Sequence, residues 1–226
     1  MRVLSIVHQR DAGSGVFGNA VADRGDELIE WVPSERPPPE DGFDAALVFG
    51  GAMNVDEQDD HPWLGAEKEL LRAVLARAVP VLGVCLGAQL LAEAAGGDAR
   101  PAGEPEHGWK AVELMPAATG DPVLGPLPRR FAALEWHRYE MRPPDTAVEL
   151  ARSAACLQAF RLDAARGWGI QFHAEATAET VERWAHDDDR GLDRAAIMRD
   201  TRREIARWNE LGVGICRRFL DACAEI

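Results

Sequence analysis

Short apolar runs at residues 3–7, 45–49 and 80–84, each followed by a turn and a stretch of helical spacing, constrain this chain more than any other feature. Strands that lack polar alternation are buried on both faces, the mark of a parallel sheet covered by helices. The spacing predicts a helix over residues 16–23 and another over 86–95, the latter stopped by Gly96-Gly97. A further helix starts at Pro62, with Asp60 or His61 as its cap, and carries the stripe Leu70, Leu71, Val74, Leu75 and Ala78. Residues 27–32 read as a second strand and the Pro-rich stretch 33–39 as a loop. Strand and helix alternating through short links predict a three-layer α/β sandwich with a mostly parallel central sheet and helices on both faces.

Beyond Gly97 the texture changes. Residues 109–114, 131–136, 148–153, 157–162 and 167–172 read as strands with Pro and Gly between them, expected as antiparallel additions to the parallel core. From residue 177 the chain reads helical, with a polar break at 186–190. A length of 226 residues suits one well-buried domain, and no linker or repeat divides it. The expectation is a single domain with its core over about residues 1–185 and a helical C-terminal extension over about 177–226.

The formal net charge is −13, and the longest basic patches are Arg202-Arg203 and Arg217-Arg218. Nucleic acid and anionic membranes demand clustered positive charge, so neither is expected as a partner. No stretch approaches the roughly 18–20 apolar residues of a membrane span, and the first apolar run is too short for a signal peptide. Cys85, Cys156, Cys216 and Cys223 form neither a Cys-x-x-Cys pair nor a zinc-ligand pattern. Free thiols and a cytoplasmic setting are the expectation.

Gly83-Val84-Cys85-Leu86-Gly87 sits between an apolar strand and an apolar helix. A nucleophile at a sharp strand-to-helix turn occupies a strained backbone conformation, and only small residues two positions away leave room for it. The helix N-terminus favours negative charge and biases Cys85 toward thiolate, while the Leu86 N–H is aimed as an oxyanion donor. Such a nucleophile needs a base and an orienting group. Residues two apart in an extended segment share a face, so His173 and Glu175 are expected to point together, the carboxylate fixing the imidazole tautomer. His137 is the rival base, in a less strand-like context. His8, His61, His107 and His186 have no comparable setting, and the other cysteines read as packing.

Other features carry less. Gly13-Ser14-Gly15-Val16-Phe17-Gly18 fits a dinucleotide-binding pattern, but residues 8–12 separate it from the strand, which favours a plain entry into a helix. The acidic runs 56–61 and 186–189 read as solvated turns rather than metal ligands. Trp184, Trp208, Leu211, Ile215 and Phe219 recur at helical spacing, as core or as a dimer seam. An α/β-hydrolase would order its triad nucleophile, acid, histidine, whereas here the acid follows the histidine.

With these residues in place, the chain resembles the class I, triad-type glutamine amidotransferases, and among them standalone relatives of the GMP synthase glutaminase domain. Phe49-Gly50-Gly51 is similar to the family's oxyanion-loop glycines, residues 83–89 to its nucleophile motif, and residues 169–175 to its His-x-Glu motif. Glu106-His107-Gly108-Trp109 and Trp136-His137 resemble segments of standalone members.

The resemblance implies a flavodoxin-like fold and γ-amide chemistry with no cofactor and no metal. It makes Cys85, His173 and Glu175 catalytic, Gly51 and Leu86 oxyanion donors, and Gly50, Gln89, His137, Arg138 and Tyr139 substrate-binding. Its substrate would be glutamine or a γ-glutamyl compound. No synthetase domain is recognisable, so either ammonia passes to a separate synthetase partner or the protein is a standalone γ-glutamyl hydrolase or peptidase. A non-catalytic glutamine-binding relative is the other reading. Ala174 replaces the family's usual Pro and is expected to loosen that backbone. Tyr139 stands where related glutaminases often place an Asp that binds the α-amino group, with Glu135 or Glu140 as the compensating acid.

Overall fold

A computed structural model describes residues 1–10, 12–188 and 190–224. The first part of the chain alternates β1 (Arg2–Ile6), α1 (Gly15–Asp23), β2 (Glu27–Trp31), β3 (Ala45–Val48), α2 (Trp63–Ala76), β4 (Val81–Val84) and α3 (Leu86–Ala94). Strands β5 (Asp98–Leu114), β6 (Arg130–Arg142), β7 (Val148–Arg152), β8 (Leu157–Leu162) and β9 (Gly167–Ile170) follow, then α4 (Ala178–Asp187) and α5 (Arg194–Ala224). The strands form one sheet in the order β2-β1-β3-β4-β9-β8-β7-β5-β6.

The half from β2 to β9 is parallel, as unbroken apolar strands require, and β8 through β6 are antiparallel. Helices α1, α4 and α5 pack with one apolar layer that includes Phe17, Val181, Trp208 and Phe219. Helices α2 and α3 pack with the other, around Leu64, Leu71, Val74 and Leu91. The predicted three-layer α/β sandwich is the observed one.

Several boundaries differ from the sequence reading. Strands β5 and β6 pair from Asp98↔Arg142 to Glu113↔Arg130, with a bulge between Pro101 and Glu106, and so run well beyond residues 109–114 and 131–136. Much of β5 before Trp109 is exposed, and its Pro, Gly and Glu residues carry no apolar alternation to betray a strand. His137, Arg138 and Tyr139 therefore lie on a strand after all. Helix α2 begins at Trp63 behind Pro62, with no side-chain cap from Asp60 or His61; the His61 carbonyl accepts from Leu64 N–H at 3.0 Å instead. Ala78 falls beyond α2 with φ 53°, so it is not part of the helical stripe.

Helix α5 carries Trp208, Ile215 and Phe219 inward, which places that stripe in the core rather than on a seam. No helix among the described residues is long and apolar enough to cross a membrane.

Candidate active site

Strand β4 ends at Val84 and α3 begins at Leu86, leaving Cys85 as the single turning residue with φ 52° and ψ −111°. That conformation costs a residue with a Cβ about 1–3 kcal/mol, so the surroundings must enforce it. The Cys85 N–H donates to Ile170 O at 2.8 Å, and its carbonyl accepts from Gln89 N–H at 3.1 Å. Glycines are needed on either side for room. A Cβ on Gly87 would stand 2.1 Å from Val48 O, and one on Gly83 would stand 2.6 Å from Gly87 O. The thiol faces a cavity, with Sγ 3.9 Å from Trp136 O.

His173 and Glu175 do meet, His173 Nδ1 lying 2.8 Å from Glu175 Oε1. They do so in a turn beyond the end of β9, not along an extended strand as expected. The backbone of that turn is held at four points. His173 N–H donates to Leu134 O at 2.9 Å, and Glu175 O accepts from Val16 N–H of α1 at 2.9 Å. Trp208 Nε1 of α5 donates to His173 O at 2.8 Å, and Asn209 Nδ2 donates to Ala176 O at 2.8 Å. Gly212 presses against the same turn, since a Cβ there would lie 2.0 Å from Ala174 O. Ala174 is buried in this clamp, so the loosening expected from the missing Pro does not occur.

The His173 ring packs edge-on to Trp184 at 4.6 Å, with Cys85 beside it. Burial opposes a charge on His173, but Glu175 and Cys85 outweigh it and hold the pKa well above 6.5. Gly50 completes the contact. A Cβ there would fall 2.9 Å from His173 Cε1 and 3.6 Å from Cys85 Cβ, so only glycine lets β3's outgoing loop lie against both.

The next residue, Gly51, lines the cavity with Leu86, whose N–H opens α3 and has no intrahelical acceptor. Below this loop sits His8, which no motif in the sequence singles out. Its Nδ1 lies 3.1 Å from Gly50 O, and its Nε2 lies 2.9 Å from both oxygens of Glu67, with both side chains wholly buried. Each ring nitrogen faces an acceptor, which only the imidazolium satisfies. Burial alone would discharge the ring, but the Glu67 carboxylate outweighs it and raises the pKa. The legible sign was Glu67 itself, an acid on the buried α2 stripe with Leu64, Leu71 and Val74.

Gln89, His137, Arg138 and Tyr139 line the same cavity of about 480 Å³, together with Trp136 and Trp184. Gln89 is buried, and its Nε2 donates to Tyr139 O at 3.1 Å and Gln171 Oε1 at 3.3 Å. His137 Nδ1 donates to Tyr139 O at 3.0 Å, while Nε2 lies 3.4 Å from carboxylate oxygens of both Glu106 and Glu135. Burial lowers its affinity for a proton, yet the two acids push its pKa up to about 10. A ring already protonated and held at both nitrogens is poorly suited to accept the thiol's proton, which favours His173 over this rival.

Glu135 is wholly buried beneath His137, and Glu140 is tied to Arg100 at 2.8 Å. Neither lines the cavity, so neither replaces the acid missing at Tyr139. Tyr139 itself donates through Oη to Asp56, 3.1 Å from either oxygen. Asp56, from one acidic run, is thus engaged at the mouth; of the other run, Asp187 and Asp188 line the cavity and Asp189 lies outside the described residues. Among the described residues, Glu106, His137 and Cys156 could offer a metal ion one ligand atom each within 4.8 Å of one another. Glu106 Oε2 is already committed, accepting from Ser153 Oγ and Gln158 Nε2 at 2.8 Å each.

Comparison with known proteins agrees with this geometry. The family model "Glutamine amidotransferase class-I" matches residues 20–185. The glutamine amidotransferase-like protein YfeJ of Salmonella typhimurium is 31% identical over 219 residues, 92% of this chain and 91% of that protein. The glutamine-hydrolyzing subunit of the GMP synthase of Ignicoccus hospitalis is 32% identical over 145 residues, covering 63% of this chain and 73% of its own. Among solved structures, a glutamine amidotransferase of Methylobacillus flagellatus superposes with a TM-score of 0.84 at 27% identity, over 98% of this chain and 94% of that one. One from Thermotoga maritima, at 24% identity, reaches 0.86 over 100% and 99% and speaks to the fold alone.

Proposed function

This chain belongs to the class I glutamine amidotransferase family, and from that membership we propose that it hydrolyses the γ-amide of glutamine or of a γ-glutamyl compound through a thioester on Cys85. The observation that carries the reading is the convergence of Cys85, the His173–Glu175 pair and the Gly50-Gly51 loop on one cavity.

In this mechanism His173 takes the Cys85 proton as sulfur attacks the amide carbon, and Glu175 steadies the resulting imidazolium through Nδ1. The substrate oxygen, now negative, accepts from the N–H groups of Gly51 and Leu86. Collapse breaks the carbon–nitrogen bond while His173 returns its proton to the leaving nitrogen, releasing ammonia. Water, deprotonated by the same ring, then attacks the thioester, and its collapse frees the γ-carboxylate and restores the thiol.

Gln89, Arg138 and Tyr139 contact the substrate's far end, and His137 is a fixed cation in the wall. The helices beyond residue 185 belong to the same folding unit as the rest, since α5 holds the turn that carries the acid and base.

The γ-glutamyl hydrolase or peptidase version is favoured by the mouth of the site. A cavity of about 480 Å³ holds more than a free glutamine, and Tyr139 with Asp56 replaces the usual acid. Incubation with glutamine and a panel of γ-glutamyl amides and peptides, read by ammonia, amine and glutamate release, decides between them. Intact mass should show a glutamyl adduct or an affinity label on wild type and none on Cys85→Ala. No turnover of any panel member and no label on Cys85 would refute the reading. A rise in ammonia release on adding an acceptor protein would identify a synthetase partner.

A further inference from the structure

We propose that the buried His8–Glu67 pair is a positioning device that aims the Gly51 N–H into the cavity at the oxygen gaining negative charge; this rests on the acyl-transfer reading above.

A trans peptide is planar, so the Gly50 carbonyl and the Gly51 N–H point in opposite directions from one rigid unit. His8 Nδ1 grips that carbonyl from the buried side at 3.1 Å, which turns the Gly51 N–H toward the open side. The neighbouring peptide is fixed by the next residue in sequence, since Gln9 Oε1 accepts from Ala52 N–H at 2.7 Å. Residues 8 and 9 thus hold the groups on both sides of Gly51. Among the described hydrogen bonds, the Gly51 N–H has no protein partner. The imidazole also packs directly beneath, for a Cβ on Gly51 would lie 3.0 Å from His8 Cβ.

Two consecutive glycines would otherwise sample many orientations, and ordering each costs about 1–2 kcal/mol that the reaction should not have to supply. An oxyanion donor is effective because it is fixed before charge appears. Glu67 completes the device. A ring whose Nδ1 must donate, with Nε2 in an apolar layer, needs an acceptor there, and Glu67 provides one from α2 at 2.9 Å while Trp63 stacks on the ring at 5.5 Å. Buried ion pairs are weak stabilisers compared with well-packed apolar side chains. The chain Glu67–His8–Gly50 carbonyl also polarises the shared peptide, which strengthens Gly51 as a donor.

The test replaces the pair by shape-matched apolar residues, His8→Phe with Glu67→Met, which removes the grip without leaving a buried charge. Four readouts separate aiming from a structural role. The folded double variant should keep KM within about threefold and lose kcat by about 10²-fold, the scale of one oxyanion donor. Its affinity for a γ-aldehyde analogue, whose adduct with Cys85 places an oxygen in the same spot, should fall by a similar factor. Alkylation of Cys85 by iodoacetamide, which uses no such donor, should proceed as in wild type. A folded double variant with kcat within threefold of wild type overturns the proposal, as does loss of alkylation in step with kcat. Should the double variant not fold, Gln9→Ala at the cavity edge carries the test, with about a tenfold loss of kcat expected by partial release of the loop; an unchanged kcat there refutes the aiming. Wild type without turnover on any γ-glutamyl substrate sinks the acyl-transfer reading, and this proposal with it, a result distinct from an active enzyme indifferent to these substitutions.

Discussion

Trp208→Phe isolates the contribution of the last helix to the site. The indole is buried, stacked on Phe131 at 6.1 Å and edge-on to Phe172 at 5.6 Å, contacts that a phenyl ring largely keeps. What it loses is the donor to His173 O at 2.8 Å. A buried carbonyl left without a partner costs about 1–3 kcal/mol. At about 2–4 °C per kcal/mol for a chain of this size, Tm should fall by roughly 2–12 °C. That carbonyl belongs to the proposed base, and a misplacement of about 1 Å in such a group costs about 10²-fold. Three other hydrogen bonds still hold the turn, through Leu134, Val16 and Asn209, so about a tenfold loss of kcat with unchanged KM is expected. Trp109→Phe is the control. It removes a donor to Thr201 Oγ1 at 3.0 Å in the same aromatic cluster but touches no part of the turn, so it should lower Tm and leave kcat alone. Steady-state kinetics and thermal unfolding of both variants suffice. A Trp208→Phe enzyme with reduced Tm and wild-type kcat would show that α5 supports the fold without setting the site.

Cys85→Gly should be inactive yet more stable than Cys85→Ala, by about 1–3 kcal/mol in denaturant midpoints, because glycine relieves the strain at φ 52°; equal midpoints would contradict it. Glu175→Gln should cost about 10²–10⁴-fold in kcat, since the amide disrupts the imidazole tautomer that the 2.8 Å contact selects; a loss below tenfold would remove Glu175 from its role. Stability should fall as pH rises from 6.5 toward about 10. His137, raised to about 10, with His8 and His173 also raised, is protonated in the fold but not in the unfolded chain over that range. The opposite sign applies to His107, lowered to about 4 first by burial, so stability should also decline from pH 6.5 toward 4. Chemical unfolding across pH checks both limbs, and a flat alkaline limb would refute the assignment of buried imidazolium.

Local chemistry explains which parts of this architecture were legible in the sequence. The parallel half was, because each of its strands is buried on both faces and leaves an unbroken apolar run; the elbow was, because its glycines are forced by contacts of 2.1 and 2.6 Å to neighbouring carbonyls. The β5–β6 arm was not, since an exposed strand with Pro101 and Pro105 inside a bulged register has no periodic signal. His173 and Glu175 were paired by a rule for extended chain and meet in a turn instead, where α1 and α5 supply the geometry. His8 escaped notice because its meaning lies in Gly50 and Glu67, distant residues that only the fold brings within 3.1 Å.

Around Cys85 stand three buried histidines, each held by carboxylate: His8 by Glu67, His137 by Glu106 and Glu135, and His173 by Glu175. The chain as a whole carries −13, so this concentration of cationic rings is local and opposed to the general field. Distant surface acids are screened within about 8 Å at physiological salt, whereas charges in the low-dielectric wall of a cavity are not. Pairs of this kind contribute little to folding, and the left-handed Cys85 works against it. Their common benefit appears in the proposed reaction, where negative charge moves from sulfur to the substrate oxygen and back. A carboxylate behind each ring keeps the proton there and fixes its direction, so the positive ends already face that path before the substrate arrives.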